Sequence, residues 1–207
     1  MILNLDRQPR EALVAIDAQS NQLTYGELCD FIKDLETAMP SRSLLFLLTE
    51  NNVGGIAWSI GCMGAKQVPL ILNAHTEEGL FQNLMEIYCP PYLCVPKGNP
   101  MVESYKVVME SYDYVLLYTG NESCPLHEEL SHLLPTSGST GSPKLVRHKY
   151  ANIEAAALNI STFFELTSND RPLLVLPLYY TMGLSIVFSH LYAGATVLAT
   201  NRSMTDR

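Results

Sequence analysis

The sequence predicts an α/β fold with a largely parallel sheet and helices on both of its faces. Three observations favour this class. Short apolar runs typical of strands alternate along the chain with segments of helical periodicity. One run, Ser43 to Thr49, is apolar almost throughout, which is typical of a strand buried on both faces of a parallel sheet. Hydrophobic residues make up 47% of the 207 residues, enough for a substantial core.

The first predicted helix begins with a capping box, in which Thr24 is followed three residues later by Glu27. Apolar residues at helical spacing extend this helix from Tyr25 to about Met39. After the apolar run, a second helix passes through Ile56 to Ile60 and leads to a strand at Val68 to Leu72. This alternation is that of a parallel α/β sheet.

Thr76 and the two glutamates that follow it start the third predicted helix, by capping and by favourable charge at the helix N-terminus. Pro90-Pro91 ends that helix, since proline cannot continue it. Further strands are predicted at Tyr92 to Val95 and at Tyr114 to Tyr118. The intervening residues 96–110 fit either irregular structure or a short helix, and the sequence leaves both open.

The second half of the chain predicts two strands around a Ser/Gly-rich loop, then a helix, and then a strand–helix–strand unit. The strands are Glu129 to Thr136, Lys144 to His148, Leu173 to Leu176 and Thr196 to Ala199, and the helices are Ile153 to Phe164 and Thr181 to Tyr192.

The last of these units lies in an uncharged stretch. Residues Pro172 to Asn201 contain no Lys, Arg, Asp or Glu, and an apolar stretch of this length is a candidate membrane span. Pro177, Gly183 and Gly194 interrupt it. We therefore expect a buried β-α-β unit and no membrane span.

The loop itself is the most informative motif of the chain, Thr136-Ser137-Gly138-Ser139-Thr140-Gly141-Ser142-Pro143-Lys144. Glycines allow the backbone to approach a bulky anion, hydroxyls donate hydrogen bonds, and lysine adds a full positive charge. A flexible linker has a similar composition, but linkers seldom lie between two strands of a compact region. The spacing fits neither a Walker A loop nor a dinucleotide-binding loop. The motif therefore predicts a site for a nucleotide polyphosphate.

The loop matches every fixed position of Thr-Ser-Gly-Ser/Thr-Thr-Gly-x-Pro-Lys, and so resembles the signature of the adenylate-forming, AMP-binding ligases. This superfamily includes acyl-CoA synthetases, adenylation domains of peptide synthetases and luciferases. Three other stretches resemble family motifs in the expected order, at Leu23–Leu28, Gly64–Leu70 and Pro177–Leu184. The chain departs from the pattern at Leu145, where the family has glycine, and at Tyr150 and Tyr180, where it has histidine.

The resemblance implies that residues 1–207 are the N-terminal portion of the large AMP-binding domain, without its C-terminal remainder and mobile small domain. The complete enzyme would use ATP with Mg²⁺ to activate a carboxylic acid as an acyl-adenylate, and could transfer the acyl group to CoA or a carrier thiol. The residues implied for nucleotide binding are Thr136, Ser137, Gly138, Ser139, Thr140, Gly141 and Lys144.

Tyr180 and Gly183 are implied to lie near the acyl substrate. No catalytic residue is assigned within the chain. The family's magnesium-binding Thr-Glu motif, ribose-binding aspartate and C-terminal lysine come later than residue 207, so we expect the chain by itself to be inactive. The alternative is a stand-alone, non-catalytic domain that binds a partner or itself through apolar surface.

Composition excludes several other classes. Thirteen basic and 21 acidic residues give a net charge of −8, which disfavours a nucleic-acid or anionic membrane surface. Five irregularly spaced cysteines and five histidines have no metal-binding spacing, so no metal site is expected. His148 is interpreted as an exposed histidine at a strand end. Unpaired cysteines and an N-terminus without a signal-peptide pattern predict a cytoplasmic location.

Overall fold

Eleven strands and five α-helices make up the part of the protein that the computed structural model describes, residues 1–136 and 144–202. The strands are β1 (Leu13–Asp17), β2 (Gln22–Thr24), β3 (Leu44–Thr49), β4 (Val68–Asn73), β5 (Tyr92–Pro96), β6 (Lys106–Ser111), β7 (Tyr114–Tyr118), β8 (Leu130–Pro135), β9 (Leu145–Lys149), β10 (Leu173–Leu174) and β11 (Val197–Ala199). The helices are α1 (Tyr25–Ala38), α2 (Val53–Gly64), α3 (Glu78–Tyr88), α4 (Tyr150–Phe163) and α5 (Thr181–Tyr192).

Seven strands form the larger sheet, in the order β6-β7-β5-β3-β4-β8-β9. Its centre is parallel: β3 pairs with β4 and β5, and β4 pairs with β8. The margins, formed by β6, β7 and β9, are antiparallel. Every residue of β3 is buried, as expected for a central parallel strand. The predicted α/β class is confirmed, with a mixed sheet whose centre is parallel as expected.

Both faces of this sheet are covered, because alternate residues of β3 point into two different cores. Leu45 and Leu47 pack into the core that includes α1 and α2, whereas Phe46 belongs to the core that includes α3. On the α3 side, the rings of Phe46 and Phe81 meet edge to face at 6.1 Å between centroids. Helices therefore lie on both faces, as the sequence predicts.

Four strands form a second sheet, in the order β10-β11-β1-β2. The sequence did not predict β1 and β2. Strand β1 pairs with β2 on one side and, on the other, with β11, which lies about 180 residues further along the chain. One face packs on the core through Leu174 and Val197. The other face is an open cleft of about 410 Å³ whose apolar walls include Ile16, Leu173 and Leu198.

Helix α2 lies between the two sheets and contacts strands of both. Its residues are buried from Val53 to Met63, all round the helix. The close packing depends on glycines, since a Cβ at Gly55 would clash with the carbonyl oxygen of Glu50 and touch the side chain of Leu178. The one tryptophan of the sequence, Trp58, is fully buried in this helix.

Helix boundaries test the predicted caps. The capping box of α1 is confirmed: the Glu27 backbone N–H donates to the Thr24 hydroxyl over 3.1 Å, and the Thr24 N–H donates to the Glu27 carboxylate over 2.7 Å. The expectation that Thr76 caps α3 is wrong. Its hydroxyl donates to the carbonyl of Asn73, and the helix begins at Glu78. The Thr76 side chain thus stabilises the turn after β4 instead of capping α3.

The uncharged stretch folds as β10, α5 and β11, with the two strands parallel and adjacent. This confirms the predicted order of strand, helix and strand, but the unit is not buried throughout, because Leu173, Tyr180 and Met182 are more than half exposed. None of the helices described is long and apolar enough to cross a membrane. The ambiguous residues 96–110 contain a 3-10 turn, Pro100–Glu103, followed by β6.

Candidate functional site

The predicted phosphate loop joins two antiparallel strands at one edge of the larger sheet. Strand β8 runs parallel to β4, with Leu133 opposite Leu70, so it ends at the same edge as β3 and β4. The Thr136 N–H donates to the carbonyl of Lys144 over 2.8 Å. Both residues are exposed. This backbone bond closes the base of the loop and leaves the Lys144 side chain in solvent.

Five of the residues predicted to bind the nucleotide lie outside the described residues. They are Ser137, Gly138, Ser139, Thr140 and Gly141. Their assignment to the site stays a prediction.

A cleft of about 550 Å³ lies where the carboxyl ends of strands from both sheets meet. Glu50 and Asn51 follow β3, His75 follows β4, and Thr200 follows β11, and all four line the cleft. In open α/β sheets ligands bind outside the carboxyl ends of the strands. The cleft therefore lies where a ligand of this class of fold would be expected.

Asn51 ties the two sheets together at this cleft. Its buried side-chain amide donates to the carbonyls of Leu174 and Leu176, over 3.3 and 3.0 Å. Its side-chain oxygen accepts from the N–H of Leu178 over 3.1 Å. These bonds draw the chain away from the sheet. Strand β10 therefore ends at Leu174, whereas the sequence predicted that it would end at Leu176. The polar pair Glu50-Asn51 directly after a buried strand is the only sequence signal for this role.

Tyr180 and Gly183 begin the next helix. Tyr180 is the residue before α5 and is 52% exposed, with its ring 4.7 Å from that of Tyr179. Gly183 is buried, and a Cβ there would clash with the carbonyl oxygen of Pro177. Packing alone thus requires glycine at 183, whereas Tyr180 is free to contact a ligand. Their predicted substrate roles stay predictions.

A smaller pocket of about 190 Å³ lies between the β8–β9 hairpin, α4 and the first turns of α5. Its floor includes the buried side chains of His132, Leu184 and Phe188, and its exposed rim includes Asn152 and Ala156. We call it the histidine pocket.

His132 and His148 stack face to face in this pocket, with ring centroids 4.4 Å apart and planes inclined by 2°. Burial lowers the pKa of His132 to about 3, and the neighbouring His148 adds to the effect. Burial also lowers the pKa of His148. Both rings are therefore neutral near pH 7.

The interpretation of His148 as an exposed strand-end residue is wrong, because the residue is half-buried and paired across the hairpin. A signal for this pairing was present in the sequence. His132 precedes Thr136 by four residues, and His148 follows Lys144 by four, which is the symmetry of two facing positions in a hairpin.

Metal ligands do not come together in the described ranges, where no group of three or more His, Cys, Asp or Glu could hold an ion. The five cysteines are unpaired, and Cys62 and Cys94 are fully buried.

Comparison with known proteins identifies the fold and the family. The sequence profile described as "AMP-binding enzyme" matches residues 4–206. A 2-succinylbenzoate–CoA ligase of Escherichia coli is 26% identical over 211 residues, covering 97% of this chain and 45% of the ligase. A ligase of the same name from Bacillus velezensis is 36% identical over 208 residues, covering 93% of this chain and 42% of the ligase.

Two solved structures show the same fold. The o-succinylbenzoate coenzyme A synthetase of Bacillus subtilis, in complex with ATP and magnesium, superposes with a TM-score of 0.75 at 20% identity, over 98% of this chain and 57% of that one. The crystal structure of VinN gives 0.77 at 17% identity, over 96% and 56%. The chain thus spans about half the length of the relatives that it matches. With the profile match over almost all its residues, the chain belongs to the AMP-binding enzyme family.

Proposed function

We propose that this chain supplies the nucleotide-phosphate loop and part of the acid-binding wall of an ATP-dependent ligase. The ligase would activate a carboxylic acid as an acyl-adenylate and pass the acyl group to CoA or a carrier thiol. The observation that carries the proposal is the loop from Thr136 to Lys144, closed by a backbone bond at the carboxyl edge of the larger sheet. The ligases named above and the ATP and magnesium complex of a structural neighbour support it.

The roles of the residues follow from their chemistry. Lys144 projects from the base of the loop into solvent, where its ammonium group can neutralise phosphate charge. The loop hydroxyls and N–H groups would bind the β- and γ-phosphates, and Gly138 and Gly141 would allow the close approach. ATP, bound with Mg²⁺, supplies the α-phosphorus that the acid's carboxylate attacks, with pyrophosphate as the leaving group. Tyr180 would contact the acid.

We also propose that the 207-residue polypeptide does not catalyse adenylation by itself. Stabilisation of a phosphoryl-transfer transition state is distributed over several charged groups. In the family these include a Thr-Glu motif, a ribose-binding aspartate and a C-terminal lysine, which come later in the relatives than the half that this chain spans. We place the protein in the cytoplasm, on the composition alone.

Calorimetric titration with Mg-ATP tests the loop. We expect weak binding that Lys144→Ala weakens about ten- to hundredfold, because a charge-assisted hydrogen bond contributes about 1.5–3 kcal/mol. Lys149→Ala is the matched control, since Lys149 lies on the same hairpin and pairs at the surface with Glu129 over 2.7 Å. Equal affinities for the two variants would contradict the nucleotide role of the loop. Robust pyrophosphate–ATP exchange by the unmodified chain with a panel of acids would contradict the proposed inactivity of the chain.

The open cleft of the four-stranded sheet favours a second candidate, a non-catalytic domain that binds a partner or a second copy. Leu173 is 58% exposed on the edge strand β10, and exposed apolar edges promote association. Light scattering of the purified chain would then report a dimer or larger assembly. A monomer at all concentrations would contradict this candidate.

A further inference from the structure

A groove of about 550 Å³ runs along helix α3, on the face of the larger sheet that this helix covers. It shares no wall residue with the large cleft lined by Glu50 or with the histidine pocket. We propose that this α3 groove binds an organic amine, in which one ammonium group is attached to an apolar body. The proposal goes beyond the proposed function, because the groove lies outside both sites described above.

The path of the chain through the larger sheet creates the groove. Strands β3 and β4 are parallel neighbours, but β3 leads into α2 on one face and β4 leads into α3 on the other. In open α/β sheets, ligands bind outside the carboxyl ends of the strands at a point where the connections diverge in this way. Leu48 at the end of β3, Ala74 after β4 and Asn99 after β5 all line the groove. Its position in the fold is therefore that of a ligand site.

The floor of the groove is apolar and adaptable. It includes the buried side chains of Leu48 and Phe81 and the half-buried side chains of Met85, Met101 and Tyr105. The volume lies within the range of about 300–1,000 Å³ that is usual for small-molecule pockets. Methionine side chains adjust to the shape of a ligand and make favourable contacts with aromatic rings. The floor thus suits an apolar body that contains an aromatic ring.

The charged groups at the rim of the groove are both acidic. They are Glu78 and Glu86, and the described walls include no Lys, Arg or His. An ionised carboxylate only accepts hydrogen bonds. The Thr76 hydroxyl, also in the wall, has already donated its hydrogen to the carbonyl of Asn73 over 2.7 Å, so it too can only accept. An ammonium group has three donors and no acceptor, and is the complement of this rim.

The two glutamates have no cation of their own. Across the residues that the structure describes, neither Glu78 nor Glu86 takes part in an ion pair. Glu86 also lies in the last turn of α3, which contains no basic residue, and negative charge is unfavourable at that end of a helix. A cation bound in the groove offsets this unfavourable charge, whereas an anion adds to it.

Three probes with the same apolar body and different end groups test the proposal: 4-phenylbutylamine, 4-phenylbutan-1-ol and 4-phenylbutyrate. Each is titrated into the 207-residue protein labelled with ¹³C in its methionine methyl groups, and the resonances of Met85 and Met101 are followed. We expect saturable shifts with the amine, about two- to fivefold weaker binding of the alcohol for the loss of an exposed ion pair, and the weakest binding of the carboxylate.

The fully buried Met39 and Met63 do not line the groove, so their resonances should stay unchanged in these titrations. Equal shifts at all four methionines, no saturable shift with the amine, or tightest binding of the carboxylate would overturn the proposal.

Removal of the two charges tests the role of the end group. Glu78→Gln combined with Glu86→Gln keeps the size of the rim, and the amine and the alcohol should then bind equally. Glu77→Gln combined with Glu103→Gln is the matched control, because both residues are exposed and neither lines the groove. A preference for the amine that survives in the first double variant, or that is lost equally in both, would overturn the proposal.

A cation attached to the helix gives an independent test. Gln82, which donates to the Glu78 carboxylate over 3.1 Å, lies four residues from each glutamate, so Gln82→Arg can pair with either of them. We expect this variant to bind the amine about two- to fivefold more weakly. Ile87→Arg adds the same charge to α3 at a position 51% exposed and outside the groove, and should leave the affinity unchanged. Equal weakening by the two variants would show a response to net charge alone and contradict a site in the groove.

Discussion

The seven-stranded and four-stranded sheets share helix α2, yet only the larger sheet is covered on both faces. Strand β3 in the larger sheet is buried at every residue, whereas β10 in the smaller sheet alternates an exposed Leu173 with a buried Leu174. The larger sheet carries the phosphate loop, and the smaller sheet leads into Tyr180. The predicted loop is thus supported by a sheet buried on both faces, whereas Tyr180 follows a sheet that is open on one face.

A leucine-to-alanine substitution in each of the two sheets should give the largest difference in the free energy of unfolding. Leu70→Ala opens a cavity at a fully buried position of β4, and we expect a loss of about 2–5 kcal/mol in the free energy of unfolding. Leu173→Ala, at a position 58% exposed, should cost less than about 0.5 kcal/mol. Urea unfolding monitored by the buried Trp58 measures both. Similar losses for the two variants would mean that the smaller sheet is covered in solution.

Asn51→Ala removes the link between the sheets. It leaves the carbonyls of Leu174 and Leu176 and the N–H of Leu178 without that partner, and we expect a loss of about 2–3 kcal/mol. Asn52→Ala is the control, because it removes the cap on the Gly55 N–H and a bond to the Glu50 carboxylate but no bond to residues 174–178, and it should cost about 1 kcal/mol.

Hydrogen exchange distinguishes the two variants. Asn51→Ala should raise exchange at 174–178 and in the smaller sheet while β3 and β4 stay protected. Uniform acceleration through both sheets would contradict a local linking role.

Lower pH should destabilise the hairpin edge of the larger sheet. The pKa of His132 is lowered from 6.5 to about 3 in the folded protein, so the unfolded chain binds the extra proton first. The contribution of neutral His132 to the free energy of unfolding is fully present above pH 6.5. It is lost as the pH falls from 6.5 towards 3, by up to about 1.4 kcal/mol per pH unit.

Urea unfolding of His132→Phe at several pH values checks this slope. The variant should show a weaker pH dependence than the unmodified chain, because it lacks the proton-binding group. His75→Gln, whose side chain is 83% exposed, should keep the original slope. Identical slopes for the chain and His132→Phe would contradict the assignment.

The smallest effect on stability is expected at the open edge of the smaller sheet. Leu173→Lys places a charge on edge strand β10, and charged edge residues discourage pairing between sheets. We expect a change of less than about 0.5 kcal/mol in stability, together with a shift of any dimer towards monomer in analytical ultracentrifugation. A dimer that persists would mean that association uses another surface.

Local signals in the sequence predicted much of the fold. The Thr24–Glu27 capping box and helix α5 depend on neighbouring residues, and the structure confirms both. The division into two sheets was not predicted, because β1 pairs with β11 across the length of the chain. The same holds for the cap of α3, since the turn after β4 competes for the Thr76 hydroxyl.

The candidate site likewise has parts that could be predicted from neighbouring residues and parts that could not. The loop motif could be read from consecutive residues, as could the position of Tyr180. The bonds of Asn51 depend on a segment more than 120 residues away and could not be predicted from neighbouring residues. The stacking of His132 on His148 depends only on the register of the β8–β9 hairpin, and their symmetric spacing about the loop was visible in the sequence.

Gly55 gives α2 a role beyond filling space. Its Cα lies between the backbone of Glu50, which lines the large cleft, and the side chain of Leu178, which belongs to the segment held by Asn51. A methyl group added at position 55 would push these two walls apart. The width of the cleft therefore depends partly on Gly55, which does not line the cleft.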